Sequence, residues 1–399
     1  MRIAILSETY SKNMGYAQGA LSKALAKLGG EVHLVTLNLS PYHHYPNFDQ
    51  IYGGFLNRVT TPSFTEMVDG YYVHYLSHQN VFGYPRMQGM FRELRKIKPD
   101  IVQTFAAISW IPLEAAIFQP LLRYKFFTGN HTTASIFPLA QKKTSFWNKK
   151  RMMVFLTRTI HGWFISLFTE KCYPATSDCA EVAINFYGVP RKKAVVSTLG
   201  VDTDIFFPMQ SEDDRNFRLK ERETYGFKPT DIVCVYSGRF TEDKNPLALA
   251  RATARLRAQG YSYFGFFIGN GEQAERIRQE GGIVHPFVPY TELRQLYWLA
   301  DIGVWPTQES TSMIDTAACG LPIVVNDTLV AKERIDGNGV TYHLNDIDDL
   351  MKVLLSLQDL NIRSQLGTVG AQKMRNQYSW ISIADRRLQD YKAALERRN

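Results

Sequence analysis

Cysteine is scarce: four in 399 residues (Cys172, Cys179, Cys234, Cys319), and none forms a C-x-x-C pair. That excludes a disulfide-stapled scaffold, makes a zinc site unexpected and fits a reducing compartment. Long apolar runs are also missing, since none approaches the roughly 18–20 residues that span a bilayer. Met1-Arg2 leads into Ile3-Ala4-Ile5-Leu6 and meets Glu8 at once, too short a run for a signal peptide. No internal repeat or low-complexity segment occurs. The opening strand-helix-strand lacks G-x-G-x-x-G, so it carries little dinucleotide signal. No D-x-D-type metal motif directly follows a strand. Together these absences point to a cytoplasmic globular protein without a metal centre.

What is present fits two ordinary domains. Hydrophobic residues make up 45% and charged residues 21%, a folded rather than disordered balance. The net charge of +8 is uneven. Residues 1–200 hold 22 Lys and Arg against 11 Asp and Glu, a surplus of +11, while 201–399 hold 24 against 27, or −3. A basic half joined to an acidic half implies different partners for each.

Hydrophobic periodicity predicts a strand over Arg2–Leu6, a polar loop containing Gly15, a helix over Ala20–Lys27 and a strand over Val32–Leu37. Residues 40–90, rich in Tyr, His, Pro and Asn, read as an insertion with a short strand at Tyr71–Leu76. A helix ending at Pro99 precedes a buried strand over Asp100–Phe105, and Tyr124–Thr128 is a strand leading to His131. Between 142 and 173, Lys142, Lys143, Lys149, Lys150, Arg151, Arg158 and Lys171 interleave with Phe146, Trp147, Phe155, Trp163, Phe164 and Phe168. On helix, that mixture suits anionic lipid headgroups, although packing alone accounts for the apolar positions. Ala194–Ser197 reads as a strand and 210–230 as a linker, which puts a domain boundary near 205. Beyond it, strands and helices alternate from Ile232 to Trp305, the rhythm of a doubly wound parallel sheet.

Three stretches of this second half should converge, because open parallel sheets gather ligands at the carboxyl ends of their strands. In the first, Ser237-Gly238-Arg239 follows a strand, with Lys244 five residues on; an arginine fork and a lysine charge suit a diphosphate. In the second, Gly269-Asn270-Gly271 lies between strand and helix, where glycine admits a close ligand but also serves in ordinary turns. The third runs from Val304 to Asp327. Glu309 and Ser310–Met313 precede or open a helix bearing Asp315, then Gly320-Leu321-Pro322 stops it. A helix start offers N–H groups and a positive dipole end to an anion, and Asp315, a poor helix former, suits a polar task.

The run of motifs resembles the retaining glycosyltransferases of family 4. Their G-R-(L/F)-x-x-x-K loop is matched by Gly238, Arg239 and Lys244, and their A-M-A-C-G-L-P-V-V segment by Thr316 through Val324, with Asp315 at the ribose-binding glutamate. Their interdomain V-I-P-N-G-V-D-x-x-x-F-x-P is matched from Val196 to Pro208, and their F-S-W by Tyr378-Ser379-Trp380. Two departures stand out. Five residues rather than seven separate Glu309 from Asp315, and Ser310-Thr311-Ser312 replaces the usual glycine-aromatic pair.

The resemblance implies an α/β GT-B fold of two Rossmann-like domains flanking a cleft. Residues 1–204 would bind acceptor, with the helix over 380–399 packing back on them, and 205–379 would bind the nucleotide sugar. His131, Arg239, Lys244 and Glu309 are the implied catalytic residues. Gly15, Gly238, Gly269, Asn270, Val288, Ser310, Thr311, Ser312, Met313 and Asp315 are the implied donor ligands. The implied reaction moves a sugar from a UDP- or GDP-linked donor to an acceptor hydroxyl, in a glycan or lipid, with retention at the anomeric carbon. Neither cofactor nor metal is implied, and a peripheral place at the inner membrane face through 142–171 fits the basic half. Two rivals exist: a GT-B nucleotide-sugar epimerase, and a basic membrane- or nucleic-acid-binding protein on an inactive scaffold. The retained Arg239, Lys244 and Asp315 favour the transferase, and no nucleic-acid partner is expected.

Overall fold

Two parallel sheets organise the chain in its computed structural model, which describes residues 1–59, 64–134, 137–141, 148–307 and 310–397. The first has seven strands, in the spatial order Thr65–Val68, Tyr71–Leu76, Glu31–Leu37, Arg2–Ser7, Ile101–Thr104, Lys125–Asn130 and Thr169–Pro174. All pairings are parallel except the outermost, Thr65–Val68 against Tyr71–Leu76. The second has six, all parallel: Ile283–His285, Tyr263–Asn270, Ile232–Arg239, Ile302–Trp305, Ile323–Asn326 and Gly339–Tyr342. Their central strands read as unbroken apolar runs because helices cover both faces. Val233, Cys234, Val235, Phe266, Phe267, Ile302 and Val304 are fully buried in one core. This is the expected α/β arrangement of two Rossmann-like units.

The chain crosses between the units twice, and the two crossings are tied together. Val201 donates its N–H to the Tyr378 carbonyl at 2.8 Å, and Trp380 donates to the Val201 carbonyl at 3.0 Å. Ser379 caps the last helix, Trp380–Glu396, by accepting from the Ser382 N–H. That helix lies against the first sheet. Ile383, Leu388 and Tyr391 share a core with Ile3, Leu21 and Leu25, and Asp390 takes Lys171 at 2.7 Å and the Tyr173 hydroxyl at 2.8 Å.

Several sequence expectations change. Tyr71–Leu76 is no insertion strand, because it pairs in parallel with Glu31–Leu37 inside the main sheet. The stretch before it carries a short helix at Phe48–Tyr52, and after it His78–Val81 and Tyr84–Met87 pair as a separate antiparallel hairpin. Residues 210–230 are not a linker: a helix runs from Glu212 to Thr224, opened by a Ser211/Asp214 capping box. It is anchored by Arg218 and Arg222, which both reach Asp301. Polar composition concealed it because its buried face is built of arginines rather than aliphatics. Ala194–Ser197 forms only a bridge and two backbone bonds alongside Thr169–Pro174.

The helical basic region also ends earlier than expected. Helix covers Lys149–Phe168, with one wide turn at Phe155–Thr159, and Thr169–Pro174 is sheet. Lys171 therefore belongs to the sheet of the first unit, where it pairs with Asp390. Lys142, Lys143, Phe146 and Trp147 lie outside the described residues. No helix among the described residues is long and apolar enough to cross a membrane. All four cysteines are buried thiols, and burial pushes Cys172 up to about 12, an inert range.

Candidate functional site

Strand register brings two of the three motifs together. Ile232–Arg239 and Tyr263–Asn270 run side by side with Gly238 opposite Gly269 and Arg239 opposite Asn270, so both turns leave the sheet at one level. Sequence order reverses on the other side of Ile232–Arg239, where its neighbour is Ile302–Trp305. That reversal opens a crevice at the carboxyl edge. The helix Thr311–Ala318 starts above it, with Ser310 as an extended N-cap residue. The Ser312 hydroxyl donates to the Ser237 carbonyl at 3.2 Å, tying the helix start to the residue before Gly238. Ser310 and Ser312 hydroxyls are 2.8 Å apart, so neither caps its own helix through a backbone N–H.

Glycine is required at the paired turns. Gly269 has φ +147°, and a Cβ there would sit 1.9 Å from the Gly238 carbonyl oxygen. Arg239 is half-buried and meets Asp243 along one edge at 3.7 Å. Lys244 ends a turn in which its N–H bonds the Thr241 carbonyl. Val288 lies beyond the third strand end, half-buried. Met313 is buried under the helix start.

Asp315 is one turn into that helix, partly exposed. Burial of most of its surroundings, with the Asp202 carboxylate nearby, pushes its carboxyl well above the usual range. Asp202 itself is paired with Lys23 at 2.7 Å. Tyr297, which holds the Ser237 hydroxyl at 2.7 Å, also feels Asp315.

Opposite this crevice the first sheet has its own reversal, between Arg2–Ser7 and Ile101–Thr104. A cavity of about 520 Å³ opens there, bordered by Ser7, Glu8, Thr104, Phe105, His131 and, from the second unit, Thr311. An adjoining cavity of about 330 Å³ shares His131 and Thr311 and adds Ser310, Trp305 and Asn326. His131 thus faces the helix start across both spaces. Neither cavity is lined by Arg239, Lys244 or Asp315.

His131 stands edge-on to Phe105 at 5.6 Å and follows Asn130, whose side chain is pinned to the Cys179 carbonyl at 2.8 Å. Its ring is open to cleft solvent, yet protein surrounds the cleft on most sides. That desolvation, with the Arg387 charge behind, lowers its pKa to about 4. The ring is neutral at physiological pH. An NMR titration of the ring is expected to show a midpoint well below the ordinary 6.5, and a midpoint at 6.5 or above would contradict this environment.

Gly15 serves the approach of the two units. A Cβ there would meet the Tyr290 ring at 2.6 Å, and the Tyr290 N–H bonds the Asn13 carbonyl at 3.0 Å. Glu309 lies outside the described residues, so its expected sugar contact has no geometry here. Sequence reasoning missed Glu8, whose carboxyl pKa burial raises, and missed Tyr42 and Tyr45, whose rings lie against the Arg239 guanidinium. A carboxylate just past the first strand end was a legible signal for Glu8. The tyrosines gave none, since their loop reads as irregular.

Comparison with known proteins agrees with this geometry. The model "Glycosyltransferase Family 4" matches residues 19–205 and "Glycosyl transferases group 1" matches 231–359. A D-inositol 3-phosphate glycosyltransferase of Geodermatophilus obscurus is 26% identical over 247 residues, 57% of this chain and 53% of that protein. The chain spans about half the length of the curated relatives it matches. Among solved structures, Anabaena HepE in complex with UDP superposes with a TM-score of 0.68 at 13% identity, covering 98% of this chain and 100% of its own. Sucrose-phosphate synthase of Thermosynechococcus elongatus gives 0.66 at 16%, with 99% of each chain covered. At such identities these two show the fold alone. With both units matched by models of one family and the architecture shared, the chain belongs to the family 4, group 1 glycosyltransferases of GT-B fold.

Proposed function

We propose that the protein transfers a sugar from a nucleotide-diphosphate sugar to an acceptor hydroxyl with retention of anomeric configuration. The observation that carries this reading is the register that sets Gly238-Arg239 beside Gly269-Asn270 at the crevice below Ser310–Met313. Fixed N–H groups, a guanidinium and a helix start at one edge suit a diphosphate. UDP bound in the Anabaena relative's structure supports a uridine donor, with GDP the other candidate. In this reading 205–379 hold the donor, 1–204 with the helix over 380–399 hold the acceptor, and His131 stands between them.

As the glycosidic C–O bond to the donor breaks, negative charge collects on the departing β-phosphate. Arg239, Lys244 and the N–H groups at Ser310–Met313 meet that charge without reorganising, and such preorganised electrostatics is usually the largest catalytic term. Side-chain cations and amides would do this without a divalent metal. The neutral His131 would face the oxocarbenium-like sugar with its ring or its carbonyl, while the acceptor hydroxyl attacks from the face the leaving group vacates and passes its proton to the departing β-phosphate. The test is to supply UDP- and GDP-sugars with candidate acceptors and read product anomeric configuration by NMR. A glycoside retaining the donor's configuration supports the proposal. An isomerised free donor without transfer would favour the epimerase instead.

Asp315 would accept the two ribose hydroxyls, a task its ionised form does best. Because its pKa is raised, nucleotide affinity should climb as pH rises through that range, and Asp315→Asn should flatten the climb. Calorimetry of UDP and GDP between pH 5 and 8 checks this. Equal affinity in wild type and Asp315→Ala would refute the ribose role.

The acceptor side would sit at an anionic membrane surface. Met152, Met153, Leu156, Ile160, Trp163 and Leu167 are exposed on the helical stretch that begins with the exposed Lys149 and Lys150. Apolar anchors beside cations suit acidic headgroups. Co-sedimentation with vesicles containing acidic lipid, lost in neutral vesicles and weakened by Lys149→Glu/Lys150→Glu, is the expected outcome. Binding indifferent to lipid charge would argue against it.

A further inference from the structure

Arg239, the side chain with most to do in a diphosphate site, is held by the other unit. Its guanidinium carbon lies 5.5 Å from the Tyr42 ring centroid and 5.2 Å from that of Tyr45, both inside cation–π range. Both tyrosines belong to the loop that leaves the first sheet after Glu31–Leu37. Rings engage a guanidinium through its faces, leaving its in-plane N–H donors directed outward. Among the described residues, Asp243 alone takes an edge, at 3.7 Å. The tyrosines thus hold the guanidinium by ring contact, and a hold of this kind through its faces would leave the fork's hydrogen bonds to a phosphate.

The loop is built to hold that position. Its base is closed by the Leu39–Val59 bridge and by Ser40, which donates its N–H to the Arg58 carbonyl at 3.2 Å and its hydroxyl to the Asn57 carbonyl. Arg58 braces the interior, stacking on Phe48 at 4.7 Å and donating to the His43 carbonyl at 2.6 Å. Tyr42 adopts φ +63°, a conformation a bulky aromatic residue takes only when its surroundings over-determine it. What determines it is visible: the Tyr16 hydroxyl donates to the Tyr42 oxygen at 2.9 Å, and Tyr52 stacks on the Tyr42 ring at 5.1 Å and 3°. The far side of the loop grips the second unit. Tyr52 and Phe55 stack on Phe287 at 5.4 and 5.8 Å, and the Asn270 amide donates to the Gln50 carbonyl at 3.0 Å.

We propose that the 41–58 loop is a positioning element for Arg239, so that affinity for a nucleoside diphosphate depends on a contact made by the opposite unit. Tyr42 and Tyr45 are positioning residues: they act through Arg239 and need not touch the ligand. The proposal rests on the reading of Arg239 as a diphosphate ligand. It adds that a contact from the first unit sets the orientation of a side chain on the second unit's phosphate loop.

The test is binding of nucleoside diphosphate (UDP, GDP) and of the bare nucleosides to the full-length chain by calorimetry, with circular dichroism to confirm folding. Tyr45→Ala should weaken the diphosphate by about 3- to 30-fold, the range a partly desolvated cation–π contact supports, and leave the nucleoside unchanged. Tyr45→Phe, which keeps a ring, should stay within about twofold of wild type. Tyr42→Gly tolerates the positive φ and removes the ring, so it should fold and lose diphosphate affinity alone. Phe55→Ala, which loosens the loop's grip on Phe287 without touching Arg239, should lose affinity in the same direction by a smaller factor. Wild-type diphosphate affinity in Tyr45→Ala and Tyr42→Gly would overturn the proposal. So would equal losses for diphosphate and nucleoside, since that pattern means a structural role only. If the wild-type chain binds nucleosides but gains nothing from the diphosphate, the assignment of Arg239 falls, and the proposal falls with it.

Discussion

Replacing Arg239 by alanine is expected to lower turnover by roughly 10²- to 10³-fold, about 3–4 kcal/mol of barrier, the usual effect of deleting one preorganised donor to a developing oxyanion. The physical reason lies in where the charge goes. Before transfer the diphosphate is shared with the sugar; after it, the β-phosphate carries an extra negative charge. In the proposed reaction a half-buried guanidinium would meet that charge more strongly than water does, because its environment is less polarisable and its orientation is already set. Arg239→Lys should recover little, since a point charge on a flexible stem reproduces neither the planar fork nor its hold between two rings. Steady-state kinetics at saturating acceptor, with circular dichroism alongside, would measure it. Near-wild-type turnover in a folded Arg239→Ala protein would remove Arg239 from the catalytic assignment.

Gly269→Ala is expected to destabilise the second unit by about 2–3 kcal/mol and to abolish measurable nucleotide binding. Two penalties act at one atom. The backbone at φ +147° is one that side-chain-bearing residues rarely adopt, and the new methyl would lie 1.9 Å from the Gly238 carbonyl oxygen. Neither obstacle is a flexible side chain that could step aside; the collision is with backbone. Relief requires the two strand ends to part, which moves Gly238 and Arg239 away from the level of Asn270. Chemical denaturation reads the first penalty and calorimetry with nucleoside diphosphate the second. A stable variant that binds nucleotide normally would show that the register at these turns is not what shapes the site.

Much of this organisation is legible in the residues themselves. Ile302–Trp305 shows as a strand because three hydrophobic residues and a glycine run between turn signals, and the helix bearing Asp315 stops at Gly320-Leu321-Pro322 for local reasons. Gly238-Arg239 and Gly269-Asn270 each declare a turn after a strand. Local chemistry also misleads in identifiable ways. The helix Glu212–Thr224 looks like linker because it packs through Arg218 and Arg222 onto Asp301 rather than through aliphatic residues. Tyr71–Leu76 looks like part of an insertion because its sheet partner, Glu31–Leu37, is distant in sequence.

By itself, then, the sequence determined the alternation of strands and helices, the two-unit division of charge, and the residue types a phosphate site needs, because each depends on neighbours a few positions away. Only the tertiary structure decided that Gly238 stands opposite Gly269, that His131 shares its cavities with Thr311, and that Arg239 is gripped by Tyr42 and Tyr45. Those are pairings between positions tens to nearly two hundred residues apart. They are set by parallel register and by the packing of one unit on the other, and no local pattern of side chains encodes either.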